Sequence, residues 1–172
     1  MSFHQDEVEL FDLSDPRAVR NWQNIDDTVM GGHSRSSAKA EDGALIFSGN
    51  LSLEGGGGFC SIRSAGPELN LSHREGIAVH IMTDDRAYIL SLRNEPGRDV
   101  VVYQHPLPTH PQQWVTVHAL FADFEPTWHG EIIEDAPPLN LSRLQSVGFV
   151  ISDGREGPFR LQVASIQAFG AA

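Results

Sequence analysis

Apolar residues recur at every second position along most of this chain, and almost nowhere at helical spacing. In EGIAVHIMTDD, Ile77, Val79 and Ile81 share one face, and Ala78, His80 and Met82 share the other. RAYILSLRN aligns Tyr88, Leu90 and Leu92, and SVGFVISDG aligns Val147, Phe149 and Ile151. PFRLQVASIQAF begins with Phe159, Leu161 and Val163 in step, but Ile166 falls on the wrong face. One extra residue near Ala164 and Ser165 restores the face, which predicts a β-bulge there. EVELFDL, HSRSSAKA, ALIFSGNLSL, GFCSIRS, DVVVYQH and WVTVHALF read as further strands, separated by the turn-forming runs EDG, EGGGG, TDD, NEPGRD, PLPTHPQQ and DGREGP. Many short strands at this spacing predict an all-β protein, an antiparallel β-sandwich or jelly roll. Residues 1–172 read as one domain, with no repeat or linker to divide them. Helix has little room. SDPRAVRNWQ predicts a turn or two, with Ser14 or Asp15 as N-cap and Pro16 at the first helical position, and NLSRLQS predicts another turn.

A chain of 172 residues buries roughly 70% of the surface it exposes when unfolded, enough for a core without staples. The single cysteine, Cys60, cannot form an intrachain disulfide and is expected to be a small buried hydrophobe. Asp and Glu number 23 against 12 Lys and Arg, for a net charge of -11. With no basic stripe anywhere, this argues against a nucleic-acid surface and against attraction to anionic lipid, so no nucleic-acid partner is expected. MSFHQDEVELFDL has neither a basic nor an apolar leader region, and no apolar run is long enough to span a membrane. The expectation is a soluble, cytoplasmic protein.

The enzyme templates fail in turn. EGGGGF is followed by no Lys-Ser/Thr pair, so it is expected to be a hairpin turn with close backbone approach, not a phosphate loop. There is no nucleophile elbow and no dinucleotide fingerprint. His105 and His110 flank a proline loop, His80 and His118 lie in strands, and no Cys/His cluster exists. No catalytic residue and no cofactor are therefore expected. Asp26/Asp27, Asp84/Asp85 and Asp153 sit in turns, where they could converge on calcium or simply shape the turn. Trp22, Trp114 and Trp128 could serve as sugar platforms or pack in the core, with Trp128 of FEPTWHG expected to be the most exposed. Arg63 shares a strand face with Phe59 and Ser61. It is expected to be buried and paired with Asp26 or Asp27, the alternative being a ligand-binding arginine.

DDTVMGGHS fits neither a helix nor a strand. Within WQNIDDTVMGGHS it resembles the signature of the complex I intermediate-associated protein 30 family, through Trp22, Asp27, Val29, Met30, Gly31, Gly32 and Ser34. FSGNLSLEGGGGFCSIRS is similar to a second block of that family through Phe47, Gly49, Leu51, Gly57, Gly58, Phe59, Ser61 and Arg63. DDRAYILSLR, WVTVHALFADFEPTWHG and GFVISDGREGPFRLQVASIQAF follow in the family's order, with Asp85 where Gly is common and His129 where Arg is usual. The resemblance implies a galactose-binding-domain-like β-sandwich with no established catalytic residues. It implies an assembly factor or chaperone whose partner is another protein, among respiratory-complex assembly intermediates. Related sandwiches are carbohydrate-binding modules, so sugar binding, with or without calcium, is the alternative. Candidate positions are Trp22, Asp26, Asp27, Met30, Gly31, Gly32, Arg63 and Trp128. Gly31 or Gly32 is expected at positive φ, Val29 and Met30 as core plugs beside Trp22, and Asp26 and Asp27 either capping the turn or facing Arg63.

Overall fold

Antiparallel pairing converts the two-residue period into two opposed sheets. A computed structural model describes residues 7–170. Residues 1–6, on which much of the leader expectation rested, and 171–172 lie outside the described residues. The strands are β1 (Val8–Asp12), β2 (Trp22–Asp26), β3 (Arg35–Glu41), β4 (Ala44–Leu51), β5 (Cys60–Ser64), β6 (Gly76–Thr83) and β7 (Tyr88–Arg93). They continue with β8 (Val102–Pro106), β9 (Trp114–Leu120), β10 (Glu125–Trp128), β11 (Glu131–Ile132), β12 (Ser146–Ile151) and β13 (Gly157–Phe169). One sheet has six strands, in the order β3-β4-β13-β6-β9 with β1 also on β13. The other has seven, in the order β11-β10-β8-β7-β12-β5-β2. This is the expected antiparallel sandwich.

The predicted inward faces meet between the sheets. Ile77, Val79, Ile81, Leu161 and Val163 of the six-stranded sheet are fully buried, as are Leu90, Leu92, Val147, Phe149 and Ile151 of the seven-stranded sheet. Each such side chain contributes about 1.5–3 kcal/mol by leaving water. The bulge falls where expected, as a register shift between Val163 and Ser165 that returns Ile166 to the core. It also marks a change of partner. β13 pairs with β4 up to Val163, and with β1 from Ser165 onward. Cys60 is buried, and burial first and then the charge of Asp26 push its thiol pKa up.

The predicted helical turn forms as α1, Pro16–Val19, capped by the Asp15 carboxylate on Arg17 N (2.9 Å), while other short elements differ from expectation. Trp22, read as part of the helical segment, instead begins β2. NLSRLQS forms a turn around Asn140, whose Oδ1 accepts from Ser142 N at 3.1 Å and Ser142 Oγ at 2.7 Å. A local side-chain bond of this kind competes with helix. β10 and β11 are too short to register as periodic runs.

The buried ion pair forms at Arg86, which is 3% exposed. Its Nε and Nη2 donate to the Asp153 carboxylate at 2.7 and 2.8 Å, and its Nη1 donates to Pro158 O at 2.8 Å. This bidentate bond favours both charged forms and holds the Asp153 carboxyl below its ordinary range. Asp84 accepts from Arg86 N (3.0 Å), Tyr88 Oη (2.9 Å) and Arg160 N (2.7 Å). Protein donors thus meet Asp84 and Asp153, two of the carboxylates that the sequence offered to calcium, and the described residues hold no group of three or more His, Cys, Asp or Glu that could bind a metal. Arg86→Ala is expected to cost about 3–5 kcal/mol in urea unfolding, because it strands Asp153 in the interior. A loss below about 1 kcal/mol would show the pair to be effectively solvated.

Candidate functional site

The signature segment leaves β2 and forms a 3-10 turn over Asp27–Met30. Asp27 is completely buried. Its carboxylate accepts from Ser34 N (2.9 Å), Ser34 Oγ (2.5 Å), Gly58 N (2.7 Å) and Phe59 N (3.3 Å). Ser34 Oγ in turn accepts from Ser52 N at 2.8 Å. The backbone closes the same knot, with Asp27 N donating to Phe59 O at 3.1 Å and Gly32 N to Asp27 O at 2.9 Å. Burial alone would push the Asp27 carboxyl up. The donors from Ser34, Gly58 and Phe59 outweigh it and leave the pKa below the ordinary 3.8.

The glycines serve this carboxylate for two different reasons. Gly31 ends the turn at φ 86°, a left-handed conformation that side chains resist. Gly32 is needed for room, since a Cβ there would lie 2.4 Å from Asp27 Cγ. A Cβ on Gly57 would lie 2.4 Å from Asp27 Oδ2. EGGGG is therefore not a hairpin. It carries the chain from β4 in one sheet to β5 in the other, wrapping Asp27 on the way. The close backbone approach expected of it is present. Ser34, Gly57 and Gly58 were visible as motif residues, but nothing in their spacing pointed to Asp27.

Asp26 binds Ser36 instead, accepting from its N at 2.9 Å and its Oγ at 2.6 Å. Arg63 pairs with neither acid. It is half-buried, and its Nη1 donates to Gly97 O at 3.4 Å. Strand register explains the difference. Arg63 lies opposite Gln23, whereas Asp26 lies opposite Cys60. Three residues along a strand separate them by roughly 10 Å. Trp22 is a core residue, 6% exposed, stacked on Phe149 at 6.1 Å and edge-on to Phe11 at 5.4 Å. Val29 and Met30 are not core plugs, being 46% and 52% exposed. With Asp27 turned inward, the turn that follows it faces solvent. Leu53, on the adjoining loop, is also exposed.

Trp128 is exposed as expected and lies edge-on to His129, whose Nε2 is 3.0 Å from Asp99 Oδ1. Trp114 is the other exposed tryptophan, stacked on His80 at 5.1 Å. The two belong to different sheets. Along the middle of the seven-stranded sheet, the outward positions include Ser61, Arg63, Ile89, Ser91, Arg93, Val102, Gln104, Ser146, Gly148 and Val150, none of them aromatic. A cleft of about 360 Å³ lined by Tyr103, Phe121, Phe124, Pro126, Pro137 and Leu139 presents no carboxylate, imidazole or thiol.

The two-sheet antiparallel sandwich is a fold shared with carbohydrate-binding modules. The family 11 carbohydrate-binding module from Clostridium thermocellum, solved with a β-1,3-1,4-mixed-linked tetrasaccharide, superposes with a TM-score of 0.72 over 96% of each chain, at 16% identity. A family 29 carbohydrate-binding module superposes with a TM-score of 0.55 over 94% of this chain and 90% of its own, at 10% identity. At such identities the likeness is one of fold. The chain belongs to the Complex I intermediate-associated protein 30 family, whose profile matches residues 11–163.

A mitochondrial complex I intermediate-associated protein 30 from Neurospora crassa is 33% identical over 93 residues, 54% of this chain and 34% of that relative. The chain thus spans about a third of that protein's length. An uncharacterised protein of Schizosaccharomyces pombe is 26% identical over 170 residues, covering 87% of this chain and 78% of its own. The expectation of a cytoplasmic protein does not stand, since the named relative is mitochondrial. Among the described residues, no helix is long and apolar enough to cross a membrane.

Asp27→Asn replaces one acceptor oxygen by a donor facing the amides of Gly58 and Phe59, and is expected to cost about 2–4 kcal/mol in urea unfolding. The folded pKa lies below the unfolded one, so the carboxylate's contribution is full above the unfolded value of 3.8 and is lost as pH falls through the folded value. The gap between wild type and Asp27→Asn should therefore be constant at neutral pH and narrow only in acid. A gap that already closes near pH 6 would contradict a depressed carboxyl.

Proposed function

We propose that this chain is a non-catalytic binding protein that docks on another protein during complex I assembly, using its signature loop. The observation that carries this reading is the pairing of a fully buried, four-donor carboxylate at Asp27 with exposed Val29 and Met30 immediately after it. A loop fixed from inside presents apolar side chains at low entropic cost, and methionine is enriched at interface cores. Leu53, near the loop that wraps Asp27, is exposed as well. The family's name, which records association with complex I intermediates, supports the reading. The failure of every nucleophile, phosphate-loop and metal template supports the non-catalytic part. An assembly factor must be released, so micromolar affinity, about 8 kcal/mol, suits the role.

Carbohydrate binding is the second reading, favoured by the exposure of Trp128 and by the fold shared with carbohydrate-binding modules. It is the weaker one, because the exposed tryptophans lie in different sheets and cannot form one platform. Cross-linked pull-downs from the source cell and a glycan array separate the two. Met30→Asp is expected to change stability by no more than about 0.5 kcal/mol and to abolish capture of complex I intermediates. A selective glycan hit lost in Trp128→Ala, with no complex I subunit captured by the wild type, would reverse the ranking.

A further inference from the structure

Arg63 and Arg93 stand on the outer face of the seven-stranded sheet, on either side of β12. Arg63 lies opposite Gly148 and Arg93 opposite Ser146. Both side chains converge on one atom. Arg93 Nη1 donates to Gly97 O at 2.7 Å and Arg63 Nη1 reaches the same oxygen at 3.4 Å, so the two nitrogens lie within about 6 Å of each other. Arg86, Arg143, Arg155 and Arg160 each face a carboxylate. Arg63 and Arg93 form no ion pair among the described residues, in a chain that has 23 acids to 12 Lys and Arg. The nearest acids in sequence on the covering loop are Glu95 and Asp99, and Asp99 is engaged with His129. Each guanidinium has five donors, and Gly97 O occupies one on each.

The surface beneath is small and polar. Gly148 allows a close backbone approach, since a Cβ there would lie 2.6 Å from Ile62 O, 2.9 Å from Ser91 Oγ and 3.2 Å from Arg63 Cβ. Ser146, 2% exposed and directly across from Arg93, has a buried hydroxyl with no hydrogen-bond partner. Arg98 adds a third cation on the same loop, held by Val29 O at 3.4 Å. Burial first, and then the charge of Arg63, pull the Arg93 pKa down to about 10. Two like charges beside each other on half-buried side chains destabilise one another unless an anion joins them.

We propose that Arg63 and Arg93 form a binding site for a phosphate-bearing ligand on the outer face of the seven-stranded sheet. The charge selects the chemistry. A phosphate monoester carries nearly two negative charges at neutral pH and three acceptor oxygens, so one group satisfies both guanidinium forks. A lone carboxylate offers half the charge. Arg98 brings the loop of the site up to Val29 O, but Arg63 and Arg93 do not use the apolar side chains of Val29 and Met30, and the test does not require a protein partner.

The test is an NMR titration of the full chain, 15N-labelled, with inorganic phosphate at constant ionic strength set by chloride. The amides of Gly97 and Gly148 are expected to shift and saturate. Arg63→Gln or Arg93→Gln should weaken binding at least about tenfold, as expected for a lost charge-assisted bond. Arg93→Lys should recover only part of it, since the planar fork is gone. Arg160→Gln, on the six-stranded sheet, should leave binding unchanged. Glucose 6-phosphate and vesicles of phosphatidic acid against phosphatidylcholine then identify the source. Saturable binding of the soluble ester without vesicle sedimentation assigns a soluble ligand, and sedimentation lost in Arg63→Gln assigns a lipid headgroup. The proposal is overturned if the wild-type shifts are absent or stay linear in phosphate, or if folded Arg63→Gln and Arg93→Gln bind as the wild type does. Malonate binding without phosphate binding would equally overturn it.

Discussion

The carboxylate of Asp27 is the constraint on which the functional end of this molecule depends. An ionised group with no solvent exposure survives only if its lone pairs are met, and here four donors from two loops meet them. That requirement determines much of the local sequence. It demands a hydroxyl at Ser34, an approach by the backbone of Gly58 and Phe59, and empty space where side chains at Gly32 and Gly57 would stand. It also joins the sheets. Ser34 leads into β3 of one sheet, while Phe59 leads into β5 of the other. The loop that results is fixed from within, so Val29 and Met30 have no inward place to go.

The fold was legible because burial between two sheets enforces a strict period of two, and Ile77 to Ile81 or Val147 to Ile151 can satisfy it in one way only. Even the bulge in β13 was readable, because a single residue out of step is costly in a strand that lies across a whole sheet. β2, β10 and β11 were not legible. The first is short and carries mostly half-buried or exposed residues after Trp22, and the others are edge pieces with little to bury.

The site was legible as a motif but not as a geometry. That DDTVMGG mattered could be read. The buried partner of Asp27 was expected to be a cation, yet the carboxylate is satisfied by amides and a hydroxyl. Backbone amides carry no sequence signature beyond the glycines that let them approach. The buried arginine expected at position 63 is found at position 86, and the difference comes from strand register. Pairing across β2 and β5 places Arg63 and Asp26 at opposite ends of the shared ladder. Composition cannot reveal that offset. The fold shared with carbohydrate-binding modules similarly says little about ligand. The same outer face that could bear aromatic platforms here bears two arginines among small polar and aliphatic residues.

Site-resolved hydrogen exchange of the Ser34 and Gly58 amides tests most directly whether Asp27 organises this end of the molecule. Both amides lie in loops, where exchange is ordinarily fast. If the buried carboxylate holds them, they should be protected as strongly as the amides of Phe149 and Ile62 in the central strands, and open only with them. Exchange at the rate of an exposed turn such as Gly154 would mean that the knot opens freely in solution, and that the signature loop owes its shape to something other than Asp27.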